Sequence, residues 1–121
     1  MSKAKELGNK GEEIAVAHLK SIGYEILHLN WFSHHLELDI VARDGNELVI
    51  VEVKARSSDS YEHPSEAVSN RKIRFLVNAA EAYIQEHDIN LDTRFDIISI
   101  VFMGGTFDLE HFKNAFYPPV N

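Results

Sequence analysis

The sequence predicts an α/β domain in which helices pack against a central mixed sheet of about five strands, in the order α-β-β-β-α-β-β. Three features point that way. Two stretches, around Ile14, Ala15 and Leu19 and around Ile73, Leu76, Val77, Ala80, Tyr83 and Ile84, repeat apolar residues at helical spacing. Period-two runs joined by polar turns lie between them. One run, Leu48-Val49-Ile50-Val51, is apolar at every position, the mark of a strand buried on both faces.

The first helix is expected over 10–22, because Asn9 followed by Glu12 has capping-box spacing and Gly23 is a natural stop. Ile14, Ala15, Leu19 and Ile22 form its core-facing stripe. A strand follows over 24–32, interrupted by the polar Ser33-His34-His35. The second strand covers 36–43, and Asp44-Gly45-Asn46 is a strong hairpin turn leading into the third over 47–54. The polar, Ser-rich stretch 56–63 reads as a loop, and the second helix covers 69–87. A fourth strand spans 94–103; Gly104-Gly105 turns the chain into a fifth over 106–112, and the Pro118-Pro119 tail reads as a frayed end.

The chain, 1–121, has the size of a single domain and the composition of a folded one, 45% hydrophobic and 26% charged. Without cysteine it has neither a disulfide framework nor a thiolate metal site. No apolar run approaches the ~18 residues that span a bilayer, and Met1-Ser2-Lys3-Ala4-Lys5-Glu6 lacks the apolar stretch of a signal peptide. A cytoplasmic protein with no membrane partner is therefore expected. The net charge of −7 counts against simple binding of nucleic acid through a basic face. A metal site built of carboxylates, however, is acidic until its cation arrives. The sequence has no Gly-rich phosphate loop with a Lys-Ser/Thr signature and no serine elbow.

The chemistry concentrates in the predicted hairpin. Glu37 and Asp39 lie two apart on one strand, and Glu52 and Lys54 two apart on the next. Residues two apart share a face at about 6.6 Å, so Asp39, Glu52 and Lys54 converge if the faces match. Two adjacent carboxylates resist joint ionisation unless a cation lies between them. Hard oxygen ligands of this kind select magnesium or manganese. Such an ion polarises a phosphate oxygen and acidifies its water, while a lysine orients that water or neutralises charge on the phosphate. A Glu-x-Lys triplet also arises by chance, and cross-strand Glu–Lys pairs are ordinary sheet decoration. Its position after a buried strand is what gives it weight, since charge there is costly without a purpose.

Gly8-Asn9-Lys10-Gly11-Glu12, Ala15, Leu19, Gly23-Tyr24, Asn30-Trp31, Glu37-Leu38-Asp39-Ile40, Val51-Glu52-Val53-Lys54-Ala55-Arg56, Lys72, Arg94-Phe95-Asp96 and Asn114-Ala115-Phe116 occur in that order. In these motifs the chain resembles the YraN-like family of uncharacterised bacterial proteins, which is similar to archaeal Holliday-junction resolvases of the PD-(D/E)xK, restriction-endonuclease-like class. The resemblance implies a magnesium- or manganese-dependent endonuclease acting on DNA, with branched or structured DNA as the substrate class. Asp39, Glu52 and the Val53 carbonyl would hold the metal, Lys54 would serve the attacking water, and Glu12 would approach the metal from the first helix. Glu12 has an equal alternative as the capping-box partner of Asn9. Glu37 matches a Gly-Glu-x-Asp motif whose glycine is Leu36 here, and Tyr61-Glu62-His63-Pro64 replaces Phe-Gly-x-Pro. Similar resolvases address two strands, so a homodimer fits the resemblance.

Lys54, Arg56, Arg71, Lys72 and Arg74, set against Asp59, Glu62 and Glu66, leave a local excess of basic residues that suits a phosphate backbone. The alternative is a solvated helix end. His34 and His35 are adjacent and would point to opposite faces of a strand, which disfavours a shared ion. Arg94 and Asp96 read best as a structural ion pair, and Trp31 and Phe32 as core or sheet-edge aromatics. The function that competes with the nuclease is a nuclease-fold module that binds nucleic acid or protein without cutting.

Overall fold

A computed structural model describes residues 3–58 and 68–118. Its elements are α1 (Lys3–Ser21), β1 (Glu25–Ser33), β2 (Leu36–Asp44), β3 (Glu47–Ser57), α2 (Asn70–His87), β4 (Asp92–Met103) and β5 (Thr106–Phe112). The five strands form one sheet in the order β1-β2-β3-β4-β5. Every neighbouring pair is antiparallel except β3–β4, which is parallel. This is the expected α-β-β-β-α-β-β order and mixed sheet, in a restriction-endonuclease-like arrangement. Among the described residues no helix is long and apolar enough to cross a membrane.

α1 begins well before the expected residue 10. Residues 3–7 contain good helix formers and no proline, so nothing forces a start at Asn9. Asn9 therefore lies inside the helix, and the capping-box reading of Asn9 and Glu12 is wrong. The end is as expected. The Gly23 N–H bonds Lys20 O and the Tyr24 N–H bonds Leu19 O, with Gly23 at φ +94°, a Schellman close that satisfies the last carbonyls. Ile22 falls past the final turn and is exposed, against expectation, while Ala15 and Leu19 are fully buried. α2 is capped by Ser69, whose side chain accepts from the Lys72 N–H, and ends at Asp88 in the left-handed region. β3 runs on to Ser57, so Arg56 is strand and not loop. Its parallel ladder with β4 carries it there, from Glu47↔Asp92 to Ser57↔Phe102. Ser58 turns, its N–H bonding Phe102 O, and residues 59–63 of the expected loop, the Tyr61-Glu62-His63-Pro64 motif and Pro119 in the tail lie outside the described residues.

The sheet separates two cores. Ala15, Leu19, Ile40, Val49, Val51, Ile98 and Ile100 pack on the α1 side. Trp31, Leu38, Leu48, Ile50, Leu76, Ala80, Tyr83 and Phe95 pack on the α2 side. The run Leu48 to Val51 is buried at every position because it feeds both cores alternately. Trp31 joins the core and Phe32 is exposed. α1 sits close on β3 at Gly11, where a Cβ would come within 2.6 Å of the Ala55 Cβ. Only glycine admits that approach, and it brings the neighbouring Glu12 down beside the sheet.

A buried polar knot fixes the strands at the end remote from Ser57. Arg94 spans the turn of the β2–β3 hairpin, bonding Asp44 at 3.1 Å and Glu47 at 2.9 Å. It also bonds Asp96 and the Tyr24 hydroxyl. Asp96 is fully buried and accepts as well from Tyr24, His111 and the Asn114 N–H. Burial works against its charge, but the bonds from His111, Arg94 and Asn114 outweigh it and hold the carboxyl well below the usual range. The expected structural ion pair is thus the centre of a network joining β2, β3, β4 and the segment after β5.

The stability that Asp96 contributes is present above its unfolded value of about 3.9 and is lost as pH falls from there through the depressed folded value. Asp96→Asn, which removes the one fully buried carboxylate among the three that Arg94 bonds and weakens the bonds from His111 and Asn114, is expected to cost about 3–5 kcal/mol at neutral pH and to flatten the acid limb of the stability curve. Urea unfolding across a pH series measures both; a loss under about 1 kcal/mol contradicts the role given to this residue.

Candidate active site

The β2–β3 ladder runs from Asp44↔Glu47 to Ile40↔Val51 and stops there. β3 stays locked to β4 beyond that point, so it is β2 that leaves. Continuing the register sets Asp39 opposite Glu52. Leu38 packs in the α2-side core and Ile40 in the α1-side core. The strict alternation of a strand is therefore broken at Asp39, whose side chain is left at the seam between the two faces. Its Oδ2 accepts from the Val53 N–H at 3.1 Å, in place of the ladder bond that the parting strands no longer make.

Glu52 is buried at 7% exposure. Lys72 Nζ stands 3.2 Å from its Oε2, out of hydrogen-bonding alignment, and that oxygen has no hydrogen-bond partner among the described residues. Burial raises the Glu52 carboxyl first. A hydrogen bond with Asp39 and the Asp39 charge raise it further, while Lys72 pulls the other way. The balance leaves Glu52 holding its proton well above the ordinary carboxylate range, against Asp39.

Asp39, Val53, Lys54, Glu37 and Glu12 line one cleft of about 350 Å³ between β2, β3 and α1. Glu12 receives the Asn30 Nδ2 at 2.7 Å. Burial, and after the Asn30 bond the charges of Asp39 and Glu37, raise its carboxyl. The acidic side chains are therefore close enough to feel one another. Glu52 borders this group through Asp39 and does not itself line the cleft.

Do these residues suit a divalent cation? The structure speaks through the donor set and the orphaned oxygen. Two neighbouring carboxylates, a backbone carbonyl at Val53 and a buried Glu52 Oε2 with no hydrogen-bond partner among the described residues offer hard oxygen atoms to an ion, whose charge would relieve the repulsion that raises Glu52. No group of three or more His, Cys, Asp or Glu side chains closes on one point among the described residues. Magnesium fits that shortfall. It is commonly held by one or two carboxylates and keeps several waters for substrate oxygens.

The predicted basic patch separates. Lys72 is committed to Glu52. Arg71 and Arg74 are exposed on the outer side of the first turns of α2, and Arg56 is half-buried on β3 beyond Lys54. His34 and His35 are exposed in the β1–β2 turn, His34 at φ 57°. Two features escaped the sequence. Asn30, at φ 50°, turns back to hold Glu12; the tolerance of asparagine for the left-handed region was the available signal. The Glu52–Lys72 contact joins β3 to α2, and no local spacing announces it.

The model of the uncharacterised protein family UPF0102 matches residues 11–100. A UPF0102 protein of Bacteroides thetaiotaomicron is 50% identical over 120 residues, covering 99% of both chains. One of Parabacteroides distasonis is 44% identical over 119 residues, covering 98% of both. One of Flavobacterium psychrophilum is 43% identical over 117 residues, covering 97% of this chain and 98% of its own. These matches agree with the family resemblance in the motifs.

The Glu52 proton has a consequence for stability. The unfolded chain releases it at about pH 4.3, the folded chain only well above that. Between the two the folded state holds the extra proton, so stability falls as pH rises through the window. Glu52→Gln, which keeps the shape and can donate to Asp39, is expected to unfold at higher urea than the wild type near neutral pH, by about 1 kcal/mol, and to lose that slope. A variant less stable than the wild type there would contradict the strained-carboxylate reading.

Proposed function

The chain belongs to the uncharacterised protein family UPF0102, and from that premise and the cleft just described we propose that it is a magnesium- or manganese-dependent endonuclease hydrolysing phosphodiester bonds in DNA, with branched or structured DNA as the preferred class. The observation that carries the proposal is that the β2–β3 ladder ends where its register sets Asp39 opposite the buried Glu52, with Asp39 held on the Val53 N–H beside a cleft that Lys54 also lines.

Asp39, Glu52 and the Val53 carbonyl are the residues for the cation. When bound, it would polarise a phosphate oxygen and acidify a water. Lys54, which also lines the cleft and shares its face of β3 with Glu52, is the residue we assign to orient the attacking water and offset charge developing on the phosphate. Glu12, steadied by Asn30, lines the same cleft and would accept from a water there, and Glu37 adds to the field that would draw a cation in. Lys72 neutralises the pair from the α2 side. Arg56, Arg71 and Arg74 are the candidates for backbone phosphates on either side of the scissile bond.

A second reading, a binding module on a nuclease fold with no hydrolysis, draws support from the net charge of −7 and from the absence of a closed three-ligand group among the described residues. Manganese separates the two. The enzyme is expected to gain thermal stability in millimolar manganese, and Asp39→Ala to gain none. Cleavage of four-way-junction DNA is expected to exceed that of linear and nicked DNA. Lys54→Ala should keep manganese binding and lose about 100-fold in rate, and Glu52→Ala should lose both. Cleavage that survives all three substitutions, or no metal response in the wild type, overturns the nuclease.

A further inference from the structure

The far end of α1 carries a second constellation, independent of the cleft. His18, in the last turn of α1, turns its Nε2 to the Nδ1 of His111 on β5 at 3.1 Å. The two rings meet edge to face, with centroids 5.2 Å apart. Behind His111, its Nε2 lies 2.8 Å from Asp96 Oδ2. Asp96 is fully buried and ionised, and it accepts bonds from Arg94, Tyr24 and Asn114. The His111 nitrogen that faces this carboxylate must therefore carry the hydrogen. In the neutral ring the other nitrogen, Nδ1, is left with its lone pair aimed at His18.

A carboxylate fixing the tautomer of an imidazole whose other nitrogen is bare is the arrangement that stands behind histidine ligands in metal sites. The spacing agrees. With a Zn–N distance of about 2.0–2.1 Å, two nitrogens on a tetrahedral ion lie ~3.3 Å apart, a few tenths of an ångström more than the gap here. Burial, then His111 and Lys113, hold His18 below its usual protonation range, so its ring is neutral at neutral pH. The ring is half-buried, which leaves an approach from solvent.

We infer that His18 and His111 form a two-nitrogen site for a borderline divalent ion of the zinc, nickel or copper class, with water in the remaining positions. Coordination replaces the N–H···N bond by two metal–nitrogen bonds. His18 moves its proton from Nε2 to Nδ1, so no proton is released on that account. Imidazole selects these ions over magnesium. Among the described residues no third His, Asp or Glu side chain completes the set, and the Lys113 charge opposes the ion. Occupation is therefore reversible. It pins the end of α1 to the edge strand β5.

The test is zinc titration of the full chain by calorimetry, repeated with cobalt read by its visible absorption, on the wild type, His18→Gln and Asp39→Ala. His18→Gln is the informative variant because His18 is at the surface end of the relay and leaves the Asp96 bonds in place. The expected result is a zinc site that persists at one per chain in Asp39→Ala, where the cleft no longer competes for the ion, and is weakened at least about ten-fold in His18→Gln. Histidine side-chain NMR of the wild type should show zinc perturbing the His18 and His111 rings and sparing His34 and His35. Zinc affinity that is the same in His18→Gln, is lost in Asp39→Ala, or is absent in the wild type overturns the inference. Each outcome leaves the manganese response at the cleft as a separate question.

Discussion

The chemistry of this protein depends on one ladder ending early. Where β2 and β3 stop pairing, Asp39 loses its regular place on a strand face and is held by a single backbone N–H against the partner strand. Had the antiparallel ladder run on, Asp39 would sit in a paired strand with no cleft beside it. The gap survives because both strands are anchored elsewhere. β3 is locked to β4 along its whole length, and Arg94 clamps the hairpin turn through Asp44 and Glu47. The knot at one end supplies the rigidity that allows the other end to be open.

The open end is electrostatically uncomfortable. Glu52 is buried next to another carboxylate, with an oxygen that receives no hydrogen bond among the described residues and an ammonium that stands close without aligning to it. Glu12 and Glu37 add to the same negative field. Interiors rarely tolerate such groups without use for them. The acidic total of the chain, which at first argues against a nucleic-acid partner, is concentrated in part where a cation would reverse its sign.

Much of this was legible in the sequence, for local reasons. The Asp44-Gly45-Asn46 turn fixes the hairpin register, and the register makes Asp39 and Glu52 neighbours. The continuous apolar run of β3 announced two covered faces and hence two cores. What escaped was non-local or cooperative. α1 starts earlier than the capping pattern at Asn9 predicts, because the helix formers before it simply continue the helix. The break in alternation at Asp39 cannot be seen when both flanking residues are apolar. The local basic excess points Lys72 to phosphate, whereas the fold sets it against Glu52. His18 and His111 are 93 positions apart, beyond any spacing rule.

The sheet also has a seam. β1, β2 and β3 form a meander of neighbours joined by tight turns, β4 and β5 form a hairpin, and the two units join in the sheet through the parallel β3–β4 pairing. Meanders close cheap loops, whereas a parallel pairing must first bring distant chain together. The residues Glu12, Glu37, Asp39, Val53 and Lys54 of the cleft, and Glu52 beside it, all precede the crossover. On a ribosome they would emerge together, able to take up their mutual arrangement before Asp96 and His111 have been synthesised. The later hairpin would then act as a fastener, turning a provisional arrangement into a rigid one.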